Sequence, residues 1–362
     1  MNARMDIPNE FAAEMIRSGA SGYAALAARE MVGDRGELVD VHGRRPFIDW
    51  RDNLTSRLAY LAAALEAGSP RLFAEQVAWA KAAFIARDVP LDLLRTSLVS
   101  LLRVLQSELP ESIRAEVTDY VRGAIVELDR APHDLPSTLT VGTEHGRVAA
   151  GYLLAMLEGD RRRASEMIMD LARGGVSVRE IYMSVLTPVQ QELGRMWHMN
   201  EISVGEEHFA TATTQMVMSM LYPHLERGPA NGRTVVAAAV EDNAHEIGVR
   251  MVADFFEMDG WRSIYLGPNM PADDLPGAVA DFGAHVLALS AGISTQIRHV
   301  REAIAAVRGD PVSAGVKILV GGAAFAGASA LGRRLGADGC AATADEAVAE
   351  GRRLAGLGPG RA

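Results

Sequence analysis

The chain has 362 residues, 49% hydrophobic and 23% charged, with a net charge of −10 and a single cysteine, Cys340. No run approaches the ~18 consecutive apolar residues of a membrane span, and one thiol excludes an internal disulfide. The acidic balance gives no basic footprint for duplex DNA or anionic lipid. Residues 1–46 begin MNARMDIPNEFAAEM, which mixes both charge signs without the apolar core of a secretory signal, so a cytoplasmic location is expected, with no membrane partner. Beyond a short amphipathic stretch near Phe11–Ile16 this segment reads as an N-terminal arm. From Trp50 to Leu128 apolar residues recur at spacings of three and four, as in Leu54, Leu58, Leu61 and Leu65, with breaks at Gly68–Pro70, Val89–Pro90 and Leu109–Pro110. Four helices are predicted, forming a bundle domain over 47–137 that ends in the Pro132 and Pro136 linker.

A second helical set of four helices is expected over 138–228, a cap whose breaks fall at Gly174–Gly175 and Asn200–Ser203. After the Gly228–Gly232 hinge the pattern changes, and short apolar runs alternate with helical ones over 232–357. The predicted strands are Thr234–Val240, Arg262–Leu266, His285–Leu289, Val316–Val320 and a weak one at Gly339–Ala341. Such alternation predicts a parallel sheet covered by helices on both faces. The fold class is therefore α and α/β: an N-terminal helical domain, a helical cap, and a C-terminal doubly wound, flavodoxin-like sheet.

Ligands of such sheets bind outside the carboxyl ends of the strands. Glu241-Asp242-Asn243-Ala244-His245-Glu246-Ile247-Gly248 follows the first strand, Ser290-Ala291-Gly292 the third and Gly321-Gly322 the fourth. Small residues let backbone approach a large ligand, and His245 offers an imidazole nitrogen to a metal. Each has a commonplace reading alone, because glycines end many strands and a loop histidine is usually a cap or solvated. Together, at corresponding strand ends, they point to a site. Asn243-x-His245-x-x-Gly248, then Ser290, then Gly321-Gly322 resembles the cobalamin-binding fingerprint of methionine synthase and related corrinoid proteins, over about residues 150–355. The resemblance implies that His245 is the lower cobalt ligand in place of the displaced nucleotide tail. It also implies that the tail lies in a groove lined by Ser290, Gly292, Gly321 and Gly322. Two positions depart from the family: its usual Asp is Asn243, and its Ser-x-Leu is Ser290-Ala291-Gly292. An amide oxygen accepts the imidazole N–H but carries no charge, so weaker tuning of the ligand is expected.

In the cap, Ser203 and Glu206 form a capping box that starts a helix and accounts for Glu206 structurally. Val204 and His208 are then four apart on one face, with Glu207 beside them, while Trp197 and His198 end the previous helix. Taken alone, these residues read as a buried tryptophan and two satisfied histidines. Trp197-His198, eight intervening residues, then Glu207-His208 resembles the cap of the adenosylcobalamin-dependent photoreceptors that regulate carotenoid synthesis. That resemblance implies that Trp197 shields the upper ligand and that Val204, Glu207 and His208 line the adenosyl pocket. His198 would become the upper cobalt ligand after light.

Those photoreceptors carry an N-terminal helix-turn-helix, whereas Trp50–Leu128 has no basic recognition helix. The expected output is not direct DNA binding but light-dependent homo-oligomer assembly or an output protein of unknown identity. The bundle domain contains Trp50, Phe73, Trp79 and Phe84 and no cysteine, and His42 and His133 flank it. Aromatics at helical spacing are usually core. The architecture also resembles the photocobilins, which pair cobalamin with biliverdin, and the lack of cysteine would require non-covalent bilin binding. The expectation is a light-sensing cobalamin-binding protein without enzymatic turnover, since no nucleophile–base pair, phosphate loop or dedicated metal cluster is legible. A corrinoid methyl carrier for a separate methyltransferase is the alternative, and a cobalamin-responsive regulator without photochemistry is a third reading. A methyl carrier must expose its upper face to a partner enzyme, while the Trp197-His198 and Glu207-His208 pairs would fill it.

Overall fold

The computed structural model describes residues 10–33, 46–326 and 329–358; His42 lies outside them. They form two compact units, one of residues up to His133 with Gly292–Arg301 and Arg334–Gly336, the other of the remainder. The first unit holds five helices: α1 (Glu10–Gly33), α2 (Pro46–Glu66), α3 (Pro70–Ala86), α4 (Leu91–Glu108) and α5 (Glu111–Arg130). Pro70 follows the N-cap Ser69, while Pro90 and Pro110 are themselves the N-cap residues of α4 and α5. A residue without an N–H is tolerated only in a first turn, which is why the prolines marked these breaks in the sequence.

Helix α1 corrects the expectation of an arm over residues 1–46. Ala12, Ala13, Ile16, Ala24, Ala27, Ala28 and Met31 form its buried stripe, packed into the same core as Leu54, Leu58, Leu61 and Leu65 of α2. The stripe is made mostly of alanine, and Ser18-Gly19-Ala20-Ser21-Gly22 interrupts it, so the apolar signal is faint. Small side chains nevertheless admit a closely packed neighbouring helix.

The second unit opens with the cap helices α6 (Glu144–Leu157) and α7 (Arg161–Arg173). Next, α8 (Val178–Ile181) continues through a π-helical turn, Tyr182–Leu186, into α9 (Thr187–His198), and α10 (Val204–Leu221) completes the cap. The turn at Gly159 (φ 74°), which separates α6 from α7, was not anticipated. The π turn has a local cause: Pro188 cannot donate to the carbonyl of Ser184, and its ring crowds that position, so the ladder widens just before it. The sheet strands are β1 (Thr234–Val240), β2 (Arg262–Met270), β3 (Val286–Ser290), β4 (Lys317–Gly321) and β5 (Gly339–Ala341), all parallel in the order β2-β1-β3-β4-β5. Between and after them run α11 (Glu246–Met258), α12 (Leu275–Phe282), α13 (Ile297–Gly309), α14 (Ser329–Arg334) and α15 (Ala344–Leu354). This is the flavodoxin-like doubly wound order, whose switch point lies between β1 and β3. β2 extends four residues past its expected end at Leu266, because Gly267 (φ 90°) and a slipped register absorb a sequence that reads as a turn.

One polar stripe of α11 fastens the cap to the sheet. Glu246, Arg250, Asp254 and Glu257 fall at spacings of four, four and three, hence on one helix face. Glu246 accepts from Gln215 of α10, and Arg250 donates to Gln215 O and to Ser219 Oγ (3.2 and 2.8 Å). The Tyr182 hydroxyl donates to Asp254 (2.8 Å), and the Tyr222 hydroxyl to Glu257 (3.0 Å). Burial pushes both the Asp254 carboxyl and the Tyr182 hydroxyl above their ordinary values. Tyr182→Phe should destabilise this unit by about 1–3 kcal/mol, since it leaves the buried Asp254 without its donor. The shift is read as a lower denaturation midpoint at pH 7; an unchanged midpoint would remove the pair from the list of cap fastenings.

Candidate functional site

The loop after β1 is shaped by two non-glycine residues in the left-handed region, Asp242 (φ 59°) and Asn269 (φ 54°). They brace each other's loops: Asp242 N donates to Asn269 Oδ1 (2.8 Å), and Asn269 N to Asn243 O (3.1 Å). Held in this way, Asn243 turns inward and is fully buried. Its Nδ2 donates to Ser290 O at the end of β3 (2.9 Å), and its Oδ1 accepts from His245 N (3.0 Å) and faces His245 Nδ1 (3.2 Å). A backbone N–H must donate and a carbonyl must accept, so these partners orient the Asn243 amide. His245 Nδ1 therefore carries the proton, and Nε2 presents its lone pair from an exposed ring.

Beyond Ser290 the strand ends leave a mainly apolar cavity of about 230 Å³. Gly248, Ser290, Gly321 and Gly322 all line it, together with Thr343 at the N-cap of α15 and Met183 from the cap. Gly322 has φ 94°, and a Cβ there would lie 2.3 Å from Ala291 O, so only glycine lets the β4 loop pass so close to the β3 loop. Around Gly248 a Cβ would meet nothing within 4 Å. Gly292 is not on this cavity; its N–H donates to Gln296 Oε1 (2.7 Å). Met183, Thr187 and Gln191 were not anticipated as lining residues. Their signal was the proline-widened turn, which sets that face of the cap helix, and it becomes legible only once cap and sheet are packed.

In the cap the capping box forms as expected, with Glu206 N donating to Ser203 Oγ (3.2 Å) and Ser203 N to Glu206 Oε2 (2.7 Å). His198, the last residue of α9, is buried, whereas Trp197 is 43% and Val204 55% exposed. Glu207 hydrogen-bonds its exposed neighbour His208 (2.7 Å) and accepts from Thr211 (2.8 Å). Trp197 thus departs from the ordinary reading of a buried tryptophan, while His208 has a partner in Glu207.

A further group ties the end of α9 to the segment before the cap. The buried Glu192 carboxylate accepts from Thr138 N (2.8 Å) and Thr138 Oγ1 (3.1 Å) and pairs with Arg195. Arg195 in turn donates to Leu135 O (3.1 Å) and grips Glu201 with two bonds (2.8 and 2.6 Å), straddling the Trp197-His198 helix end. Burial works against the Glu192 charge, but these donors outweigh it and hold the carboxyl below its ordinary range.

Comparison with known proteins accords with this geometry. Residues 233–351 match the B12 binding domain family, and residues 148–222 match a second family, also described as a B12 binding domain. The cap and sheet are a B12-binding pair. A corrinoid protein of Desulfitobacterium hafniense is 24% identical over 206 residues, covering 56% of this chain and 94% of that protein. The HTH-type transcriptional repressor CarH of Myxococcus xanthus is 28% identical over 177 residues, covering 49% of this chain and 58% of the repressor. The fold is shared with the solved structure of the Methanosarcina barkeri monomethylamine corrinoid protein, at a TM-score of 0.50 and 20% identity, over 56% of this chain and 95% of that one.

The residues present fit a corrinoid. Among the described residues no cluster of three His, Cys, Asp or Glu side chains could hold a bare metal. One imidazole suffices only for a metal that brings its other donors in a macrocycle, and His245 Nε2 is presented for that role. The cavity is smaller than the ~300–1,000 Å³ of clefts that take a whole drug-sized ligand, so it suits a tail rather than the complete cofactor. Two outcomes test these assignments. Asn243→Ala should weaken cobalamin retention about 10–100-fold by freeing the His245 ring, measured by equilibrium dialysis; retention equal to wild type would deny Asn243 its positioning role. The Glu192 carboxyl, with its folded pKa depressed, contributes stability above the ordinary glutamate value that is lost as pH falls through the folded value. The stability gap between wild type and Glu192→Gln should therefore hold from pH 7 down to the ordinary glutamate range and narrow as pH falls below it, as read by denaturation midpoints.

Proposed function

We propose that this protein is a light sensor that binds adenosylcobalamin and signals by changing its self-association or its contacts with an output protein. The observation that carries the reading is the cap surface, where Trp197 and Val204 are uncovered beside His198 and the Glu207–His208 pair. Bound adenosylcobalamin supplies a cobalt–carbon bond that visible light cleaves. Trp197, Val204, Glu207 and His208 would shield the adenosyl group in the dark, His245 would hold the cobalt, and His198 would become a cobalt ligand after light. His198 is buried at the end of α9, so taking that role would require it to move. Such a movement would be felt at Arg195 and Glu192 and, through them, at Leu135 and Thr138. A device of this kind needs an element with two arrangements and different contacts in each.

The reading extends to biliverdin as a non-covalent second chromophore in the first unit. There the Trp50 and Phe84 ring centroids lie 6.3 Å apart, and the chain's one cysteine, Cys340, is elsewhere. A methyl carrier for a separate methyltransferase is the competing function, supported by the near full-length cover of the corrinoid protein from D. hafniense.

Absorption spectra of the full chain with adenosylcobalamin, before and after visible light, followed by size-exclusion chromatography, separate the two. A stable light-state spectrum with altered elution is expected. Photolysis no different from that of free cofactor, with unchanged elution, would favour the methyl carrier. His198→Ala should spare dark binding and change the illuminated spectrum. An illuminated spectrum identical to wild type would remove His198 from the upper position.

A further inference from the structure

The first unit runs to His133 and the second begins at Asp134, and the chain is fastened on both sides of that point. On the first side Lys81 of α3 is 3% exposed, and its ammonium donates to Leu128 O (2.9 Å) and Ala131 O (2.6 Å). Leu128 stands in the last turn of α5 and Ala131 is its C-cap, so the cation meets the carbonyls at the negative end of that helix. Burying a lysine is costly without such partners, and the end of α5 is therefore held rather than left to fray.

On the second side Leu135 O accepts from Arg195 (3.1 Å), and Thr138 donates to Glu192 through its N–H (2.8 Å) and its hydroxyl (3.1 Å). Leu139 packs against the core of that unit, and a Cβ on Gly146 of α6 would collide with Thr140 O, so the chain there lies hard against the cap. Glu192 and Arg195 both stand on α9, within two turns of His198.

Between the two fastenings the chain has little slack. Proline fixes its own φ and confines the residue before it to extended backbone, which restricts Ala131, Pro132, Leu135 and Pro136 and leaves only His133 and Asp134 with ordinary freedom. Ala131 takes the extended form (φ −58°, ψ 143°). The peptide steps from Ala131 to Leu135 reach at most ~14 Å when fully extended. A short, stiff connection passes on a displacement that a flexible one absorbs.

We propose that the segment from Ala131 to Thr138 is a tether through which movement of the α9 end reaches the last turn of α5, with Lys81 as its anchor in the first unit. The proposal deepens the light-sensor reading and rests on it: a shift at His198 would displace Arg195 and Glu192, the tether would follow, and the load would fall on the Lys81 bonds.

Amide hydrogen exchange of the full chain with adenosylcobalamin, in the dark and after visible light, reads the α5 end, and absorption spectra of the same samples read the cobalamin. In wild type, illumination should speed exchange in the last turn of α5 about fivefold, the protection conferred by one hydrogen bond of ~1 kcal/mol. A flexible Gly-Ser insert between His133 and Asp134 should abolish that response while the spectral conversion proceeds as in wild type. Lys81→Met should speed exchange there already in the dark and remove the further effect of light, whereas a lysine that only closes α5 would leave the light effect in place. A circular dichroism melt checks that Lys81→Met folds; if it does not, the insert decides. Unchanged α5 exchange in wild type that photoconverts, or a light response that survives the insert, would overturn the tether and leave the light-sensor reading standing. Absence of photoconversion in wild type would remove that reading and the tether with it.

Discussion

The face of α11 that starts at Glu246 governs what the cap and sheet can do together. A cofactor held between two layers is gripped only if the layers keep a fixed separation, and apolar packing alone tolerates sliding because it has no direction. Here four polar residues on one helix face, Glu246, Arg250, Asp254 and Glu257, meet partners on α10, on the π turn and at Tyr222. Hydrogen bonds to buried or half-buried charges are directional and expensive to leave unmade, so they set the position of the cap along the helix. Glu246 also accepts from Tyr265 of β2 (2.7 Å). The residue that follows His245 is thus tied at once to the cap and to the edge of the sheet, and the position of His245 follows from the same fastening.

Asn243 does for the loops what α11 does for the layers. A carboxylate at this position could accept from His245 but could not donate to the Ser290 carbonyl, whereas the amide does both (3.0 and 2.9 Å). The chain exchanges the charge that would raise the basicity of the imidazole for a direct bond across the β1/β3 switch point. The His245 ring is consequently placed by geometry more than by electrostatics. Bracing of Asp242 and Asn269, both in the left-handed region, supplies the rest of that geometry.

Much of this architecture was legible in the sequence, and the exceptions have physical causes. The four helices from Trp50 onward and the five strands could be read because leucine, valine and proline give strong periodic and terminating signals. Helix α1 could not, because its buried stripe is alanine broken by glycine and serine, whose hydrophobic contrast with the exposed face is small. At the site, His245, Ser290, Gly321 and Gly322 could be placed at strand ends because strand ends are predictable from period and length. Gly292 could not be assigned reliably, since one residue of loop decides whether a glycine lines a cavity or turns to cap its own loop, as its bond to Gln296 shows. Met183, Thr187 and Gln191 required the cap to be docked first, and docking depends on polar pairs far apart in sequence, such as Tyr182 with Asp254.

The two sides of the site differ in how free they are to change. Below, His245 follows a strand end and is held through a fully buried amide, so its surroundings favour a single arrangement. Above, His198 ends a helix and is followed at Asn200 by a left-handed residue (φ 57°), the kind of element terminus that absorbs a backbone change with least disruption. Between that terminus and the segment entering the cap stands Arg195, which cannot give up its proton and shares itself among Glu192, Glu201 and Leu135 O. Rotation of the α9 end therefore redistributes one cation among three acceptors rather than stripping it of all of them. A low-cost rearrangement at the α9 end, set against a fixed His245, is the asymmetry that the proposed switch would require.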